Sequence, residues 1–284
     1  MTGSSEALQF PHRIGLGTWR MGESRLARGA EVAAISHALQ VGYRLLDTAE
    51  LYGEGGAERL IGQALRAAGP VRREELFIVS KVKPNNASRH GTVRACEASI
   101  ERMGCDYLDL YLLHWCGPHR FTETLQGFDD LRQRGLIRHF GVSNFDVAEL
   151  DRWRAAEQRL GLTHSAHCNQ VFYCLQARGV EFDLLPWQRT HTVQTMAYSP
   201  LGGGALVRHP LLMQIAATRG ATAAQLALAW CVRAPDVVAV PKSVDRHRID
   251  ENWQARNLRL TAEELGKLDQ AFPPPHTKQP LATA

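Results

Sequence analysis

The stretch LLDTAELYGEGGAE, Leu45 to Glu58, places Asp47 at the end of an apolar run, Tyr52 shortly after it, and glycines ahead of a helix. A carboxylate in a buried run is costly unless a cation pairs with it. Lys81, inside the apolar run LFIVSKV, is the natural partner, because both residues lie near the ends of adjacent strand candidates. A phenol beside an ammonium has its anion favoured. Tyr52 is therefore expected to titrate below the unperturbed value of about 10 and to give up a proton near neutral pH. His114, ending YLDLYLLH, adds a donor able to orient and polarise a carbonyl oxygen. Each residue alone has an ordinary structural explanation: an ion pair, loop packing, a satisfied core histidine. Together at successive strand ends they form a group that can protonate a developing alkoxide. No Ser/His/Asp nucleophile, carboxylate pair or metal set accompanies them. The electrons must come from elsewhere, and a nicotinamide is the economical source.

The elements that must hold these residues follow from hydrophobic periodicity. YRLLDTA (43–49) precedes a helix with Leu60, Ile61, Ala64 and Leu65 on one face, closed by Gly69-Pro70. LFIVSKV (76–82) precedes a helix in which Val93, Cys96, Ile100 and Met103 recur at helical steps. Further pairs are YLDLYLLH (107–114) with a helix around Leu125, Phe128 and Leu131 that stops at Gly135, and IRHFGVSN (137–144) with a helix at 146–158. HSAHCNQV (164–171) is followed by a helix near 179–189, VQTMAYSP (193–200) by helical sequence from 209 to 233, and VVAVPKS (237–243) by a helix from about 245. With IGLGTW (14–19) and the helix near 30–41 the count is eight strand–helix units, the number of a (β/α)8 TIM barrel. An open doubly wound sheet is disfavoured because the first strand–helix turn, GLGTWRMG, lacks a G-x-G-x-x-G fingerprint. The expectation is one barrel domain over residues 1–284, with a proline-rich tail at about 273–284 that forms a surface strap or a frayed end.

Composition narrows the class. The chain is 44% apolar and 22% charged, with a net charge of +4 and scattered arginines, which suits a small anionic ligand better than nucleic acid. No apolar window is long enough for a membrane span, and the N-terminal MTGSSEALQFPHRIG has no secretory pattern, so a cytoplasmic enzyme is expected. The six cysteines contain no C-x-x-C pair and read as reduced thiols. No metal is expected: His164 and His167 fall in a strand candidate where an offset of three points side chains to opposite faces.

The sequence resembles the aldo-keto reductase family over nearly its full length. The motifs are GLGTW (15–19), DTAELYGEGGAERLIG (47–62), SKV (80–82), LDLYLLHW (108–115), GVSNF (141–145), CNQV (168–171), AYSPLG (197–202), PKS (241–243) and RIDEN (248–252). The resemblance implies that Asp47, Tyr52, Lys81 and His114 form the catalytic tetrad, with Tyr52 as general acid. It implies that Ser143, Asn144 and Gln170 hold the nicotinamide carboxamide, that Tyr198 stacks on the ring, and that Ser199, Leu201 and Gly202 form the pyrophosphate turn. Lys242, Ser243 and Arg248 match the family's clamp on the adenosine 2′-phosphate, and Glu251 and Asn252 its adenine-side contacts, so the implied cofactor is NADPH rather than NADH. A dianionic phosphate wants a lysine, an arginine fork and a hydroxyl within reach.

Departures also inform. The loops after His114 and after the seventh strand are short, and no acidic residue between Ser199 and Val207 is available to latch Lys242 over a cofactor. Trp19 and Trp115 remain as apolar walls of a wide, shallow substrate pocket. The wording is most similar to the bacterial methylglyoxal and diketogluconate reductase branch. The implied activity is NADPH-dependent reduction of small aldehydes, ketones and α-dicarbonyls by an enzyme acting as a monomer.

Overall fold

Strand alternation sorts the barrel's residues into two layers, because successive side chains point to opposite faces. Leu45, Phe77, Val79, Leu110, Leu112, Cys168, Met196, Val238 and Val240 cluster inside the barrel, whereas Leu46, Ile78, Val82, Tyr111, Leu113 and Val142 pack outward beneath the helices. Continuing the inward rows toward the strands' C-terminal ends brings Asp47 after Leu45, Lys81 after Val79, His114 after Leu112, Gln170 after Cys168 and Tyr198 after Met196. The same alternation that fills the interior with aliphatic groups therefore delivers polar ones to a single end.

The structure is a computed structural model and describes residues 8–67, 71–162 and 164–283; Met1–Ala7 and the Gly69-Pro70 stop lie outside them. Its strands are β1 (Leu16–Gly17), β2 (Leu45–Asp47), β3 (Phe77–Val82), β4 (Leu108–Leu113), β5 (Ile137–Ser143), β6 (Cys168–Phe172), β7 (Gln194–Tyr198) and β8 (Val237–Ala239). The helices are α1 (Arg28–Val41), α2 (Gly56–Ala67), α3 (Arg89–Met103), α4 (Phe121–Gln133), α5 (Val147–Arg159), α6 (Leu184–Thr190), α7 (Pro210–Thr218), α8 (Ala223–Cys231), α9 (Arg246–Gln254) and α10 (Ala262–Ala271). All strand pairings are parallel, in the order β1 to β8. The sheet closes where Ile14 bridges Ala239 and the Gly17 amide donates to the Pro241 carbonyl at 3.0 Å. A Cβ on Gly17 would lie 2.6 Å from the Val240 carbonyl oxygen, so this closure requires glycine. The expected (β/α)8 barrel is what the chain forms.

Several boundaries differ from expectation. β6 begins at Cys168, so His164 and His167 precede the strand, although the His167 backbone already bonds to Phe140 of β5 and Gln194 of β7 at 2.9 Å each. The helical sequence from 209 to 233 is two helices, broken where Gly220 takes φ +58°. α10 was not anticipated, although TAEE carries its capping box: Glu264 N–H donates to Thr261 Oγ1 and Thr261 N–H to Glu264 Oε2. Of the two forms considered for the tail, the strap is observed: Lys278 pairs with Asp183 at 3.0 Å, and Arg178 donates to the Phe272 carbonyl.

Candidate active site

Asp47 and Lys81 are nearly inaccessible, at 3% and 0% exposure, so their charges have to be satisfied inside the protein. Lys81 Nζ donates to Asp47 Oδ1 at 2.8 Å, to the Thr48 carbonyl at 2.8 Å and to Tyr52 Oη at 3.2 Å. Three acceptors match the three protons of an ammonium. Burial works against the lysine's charge, but Asp47 and Tyr52 outweigh it and hold the ammonium above its ordinary range. Thr18 fixes the carboxylate's backbone, its Oγ1 donating to the Asp47 carbonyl at 3.0 Å.

The expected depression of Tyr52 is not what results. Burial raises its pKa, and although Lys81 pulls it down by charge and hydrogen bond, Asp47 pushes upward again, leaving the phenol above 10. Desolvation of the half-buried ring dominates, and the lysine's charge is largely matched by Asp47. His114 is shifted the other way: burial first, then the Lys81 charge, drive it well below 6.5, so the imidazole is neutral. Its ring stands edge-on to Tyr52 with centroids 5.7 Å apart. Its Nδ1 is buried without a partner among the described residues.

The glycines after Tyr52 have a structural task. Gly53 and Gly55 have φ +55° and +77°, and a Cβ on Gly53 or Gly56 would fall 2.7 or 2.5 Å from atoms of Gly22. The loops following β1 and β2 thus touch backbone to backbone, and Glu31 of α1 ties the first of them by accepting the Gly22 N–H at 3.1 Å. This contact sets where Tyr52 stands.

A second group lies across the barrel mouth. Gln170 Nε2 donates to Asp47 Oδ1 at 2.8 Å, which joins the two halves of the site. Ser143 Oγ donates to the Gln170 carbonyl at 3.0 Å. Asn144, held at φ +59°, donates to the His114 carbonyl at 3.1 Å and accepts from the Tyr198 hydroxyl at 2.8 Å. Tyr198 also stacks against Phe172 with centroids 5.7 Å apart. Asn169, another polar strand-end residue, faces away and donates to the Phe145 carbonyl and to Gln188.

The residues expected to hold the rest of a cofactor lie past β7 and β8. Ser199 and Gly202 have φ +49° and +58°, and Leu201 lies between them, half-buried. A Cβ on Gly202 would come 2.6 Å from Gln176 Oε1, so the turn is tightly seated. Asp245 caps α9 by accepting the Arg248 N–H at 3.1 Å, and Ser243 Oγ accepts the Asp245 N–H at 3.1 Å. Lys242 and Arg248 are exposed around this helix start, whose dipole also favours negative charge; Glu251 is half-buried and Asn252 buried. Trp19 and Trp115 stand at the rim, 41% and 40% exposed, with the Trp115 ring 4.7 Å from that of His114.

Residues outside the sequence-based set also shape the site. Glu50, 9% exposed, accepts from the Lys83 N–H at 2.5 Å and from Asn86 Nδ2 at 3.1 Å, tying the β2 loop to the β3 loop. Its position between Asp47 and Tyr52 was the available signal. Thr18, the Thr48 carbonyl and Gln176 left none, because their contributions depend on tertiary contacts. Among the described residues no group of three or more His, Cys, Asp or Glu side chains is placed to hold a metal, and no helix is long and apolar enough to cross a membrane.

A closed parallel barrel with ionisable side chains gathered at the strands' C-terminal ends has the architecture of (β/α)8 enzymes. The chain belongs to the aldo/keto reductase family, whose model matches residues 13–272. It is 41% identical over 274 residues to the methylglyoxal reductase YeaE of Escherichia coli K12, covering 94% of this chain and 93% of that one. It is 35% identical to the methylglyoxal reductase DkgA of Salmonella typhimurium, with 91% and 90% covered. A crystal structure of an aldo-keto reductase from Klebsiella pneumoniae in complex with NADPH superimposes with a TM-score of 0.89 at 41% identity, covering 96% of this chain and 95% of that one.

Proposed function

We propose that this chain is an NADPH-dependent reductase of small aldehydes, ketones and α-dicarbonyls such as methylglyoxal, with Tyr52 as the general acid. The observation that carries the reading is the Tyr52 hydroxyl 3.2 Å from a fully buried lysine ammonium, beside a neutral, buried His114. The donor set fits the cofactor. Positive-φ turns at Ser199 and Gly202 suit a pyrophosphate-binding turn, and the exposed Lys242 and Arg248 at the start of α9, with Ser243, suit a 2′-phosphate. Ser143, Asn144 and Gln170 offer amide and hydroxyl partners for a carboxamide, Tyr198 an aromatic face, and Glu251 and Asn252 polar contacts on the adenine side. When bound, a reduced nicotinamide supplies hydride to a carbonyl carbon.

The chain's own residues handle the oxygen. His114 orients it, Tyr52 gives it a proton, and the Lys81 ammonium stabilises the phenolate left behind, itself held by Asp47. Trp19 and Trp115 pack against the organic part of the substrate. The test is steady-state NADPH oxidation by the purified protein with methylglyoxal and a small aromatic aldehyde. Saturable oxidation with alcohol as product is expected; absence of turnover with either substrate would overturn the reading.

A further inference from the structure

Glu58 is a carboxylate where an apolar side chain would serve the fold. It sits in the first turn of α2 and is 0% exposed. A buried ion pair is often no more stabilising than apolar groups of similar volume, so packing alone does not account for it. Its contacts lead toward the reacting groups. Oε1 accepts from Ser80 Oγ at 2.6 Å, and Ser80 is the residue before Lys81 on β3. Strand alternation turns Ser80 outward beneath α2 as it turns Lys81 inward. Oε2 accepts from Arg102 Nε at 2.5 Å, and Arg102 of α3 also donates to Ser99 Oγ at 3.1 Å. The arginine in turn covers the tyrosine loop: a Cβ on Gly55, at φ +77°, would lie 2.6 Å from Arg102 Cδ and Nε. Ala57, the residue before Glu58, donates its N–H to the Tyr52 carbonyl at 3.2 Å. One carboxylate therefore joins the backbone beside Lys81 to the backbone that holds Tyr52.

We infer that Glu58 is a positioning residue for proton delivery, its bonds to Ser80 and Arg102 fixing the separation of the Tyr52 hydroxyl from the Lys81 ammonium, 3.2 Å in this structure. This rests on the reductase reading above and deepens it to the residues that hold the acid in place. Glu58 is fully buried and exchanges no proton; it acts through the two segments it joins. The Gly22 contact holds the Tyr52 loop from the side of β1, and Glu58 holds it from the side of β3 and α3. A reacting group misplaced by about 1 Å can cost on the order of 100-fold in rate. With Tyr52 displaced from Lys81, the phenolate left by proton transfer loses the ammonium that stabilises it, whereas the cofactor residues past β7 and β8 keep their places.

The test measures kcat, KM for methylglyoxal and the NADPH dissociation constant for the wild type, Glu58→Gln, Ser80→Ala and Asp109→Asn, each well below its melting temperature. Ser80→Ala cuts the link to β3 and leaves the Glu58–Arg102 pair intact, so it reads the inference even where Glu58→Gln fails to fold. Asp109→Asn is the control: that carboxylate is 2% exposed and pairs with Arg73 at 2.7 Å, but near the N-terminal end of β4, away from Tyr52. Glu58→Gln and Ser80→Ala should each lose about tenfold or more in kcat, with KM and NADPH binding within about twofold of the wild type. Their solvent deuterium isotope effect on kcat should rise, because proton transfer from a misplaced phenol slows relative to the other steps. Asp109→Asn should melt lower yet keep both kcat and the isotope effect. Near wild-type kcat in Ser80→Ala, an unchanged isotope effect, or an equal kcat loss in Asp109→Asn would overturn the positioning role and leave the reductase reading intact. Absence of turnover by the wild type would remove that reading, and this inference with it.

Discussion

At the scale of single residues, the site is a contest over Tyr52. Burial and Asp47 raise its pKa, Lys81 lowers it, and burial wins. The phenol is therefore fully protonated through the neutral range, and Lys81 acts on the anion that forms rather than on the resting population. Reduction should show no alkaline limb until pH exceeds the ordinary tyrosine value, and no acid limb near 6.5, because His114 titrates well below that. A pH–rate profile with an inflection near 6.5 would contradict the neutral imidazole. Tyr52→Phe should bind NADPH nearly as the wild type does and lose at least about 100-fold in turnover. Near-normal turnover would remove Tyr52 from the acid role. Lys81→Met should slow reduction comparably and also destabilise the fold by about 3–5 kcal/mol, since Asp47 is left buried and uncompensated. Adding Asp47→Asn should recover stability in urea but not activity. If Lys81→Met leaves both unchanged, the pair has neither role.

Elements explain which parts of this were readable in the sequence. Strand alternation placed Asp47, Lys81, His114, Gln170 and Tyr198 on inward rows, so their common location followed from period and order. The strand ends did not follow, because of residues 164–167 only His167 bonds to the neighbouring strands, its N–H to the Phe140 carbonyl and its carbonyl to the Gln194 N–H, and that contact depends on tertiary pairing. Nor could the sequence assign the direction of the Tyr52 shift, which depends on how completely neighbouring elements exclude water. The glycines of LYGEGG announced a turn, but their reason, backbone contact with Gly22, needs two loops at once. Helix α9 was legible through PKS and RIDEN, and a prediction belongs to it. Arg248→Ala should weaken NADPH by about 1.5–3 kcal/mol through loss of a charge-assisted fork and scarcely affect NADH. Lys242→Ala should discriminate less. Fluorescence titration with both nucleotides decides, and equal losses for the two in the Arg248 variant would place that residue outside the clamp.

On the scale of the whole barrel, polar chemistry is divided between the two ends. The C-terminal end carries the proposed reaction, and the N-terminal end carries a histidine whose titration bears on stability. His167, 9% exposed at the start of β6, lies edge-on to His139 with centroids 4.7 Å apart, and its Nδ1 is buried without a partner among the described residues. Burial, then the His139 charge, lower its pKa to about 4, Arg132 and His164 adding in the same direction. Because an unfolded histidine takes up its proton near 6.5, the unfolded chain binds more protons between about 6.5 and 4. Stability from keeping His167 neutral is thus complete above that window and lost as pH falls through it. From pH 7 to pH 5 the loss should be about 2 kcal/mol at 1.36 kcal/mol per pH unit. His167→Gln cannot titrate, so whatever its stability at pH 7, its decline toward pH 5 should be shallower by that amount. Urea unfolding of both proteins at the two pH values measures this. His114 declines in the same sense in both proteins and cancels from the comparison. Equal declines would mean that His167 accepts its proton in the folded barrel as readily as in the open chain, and that the N-terminal end contributes nothing to acid sensitivity.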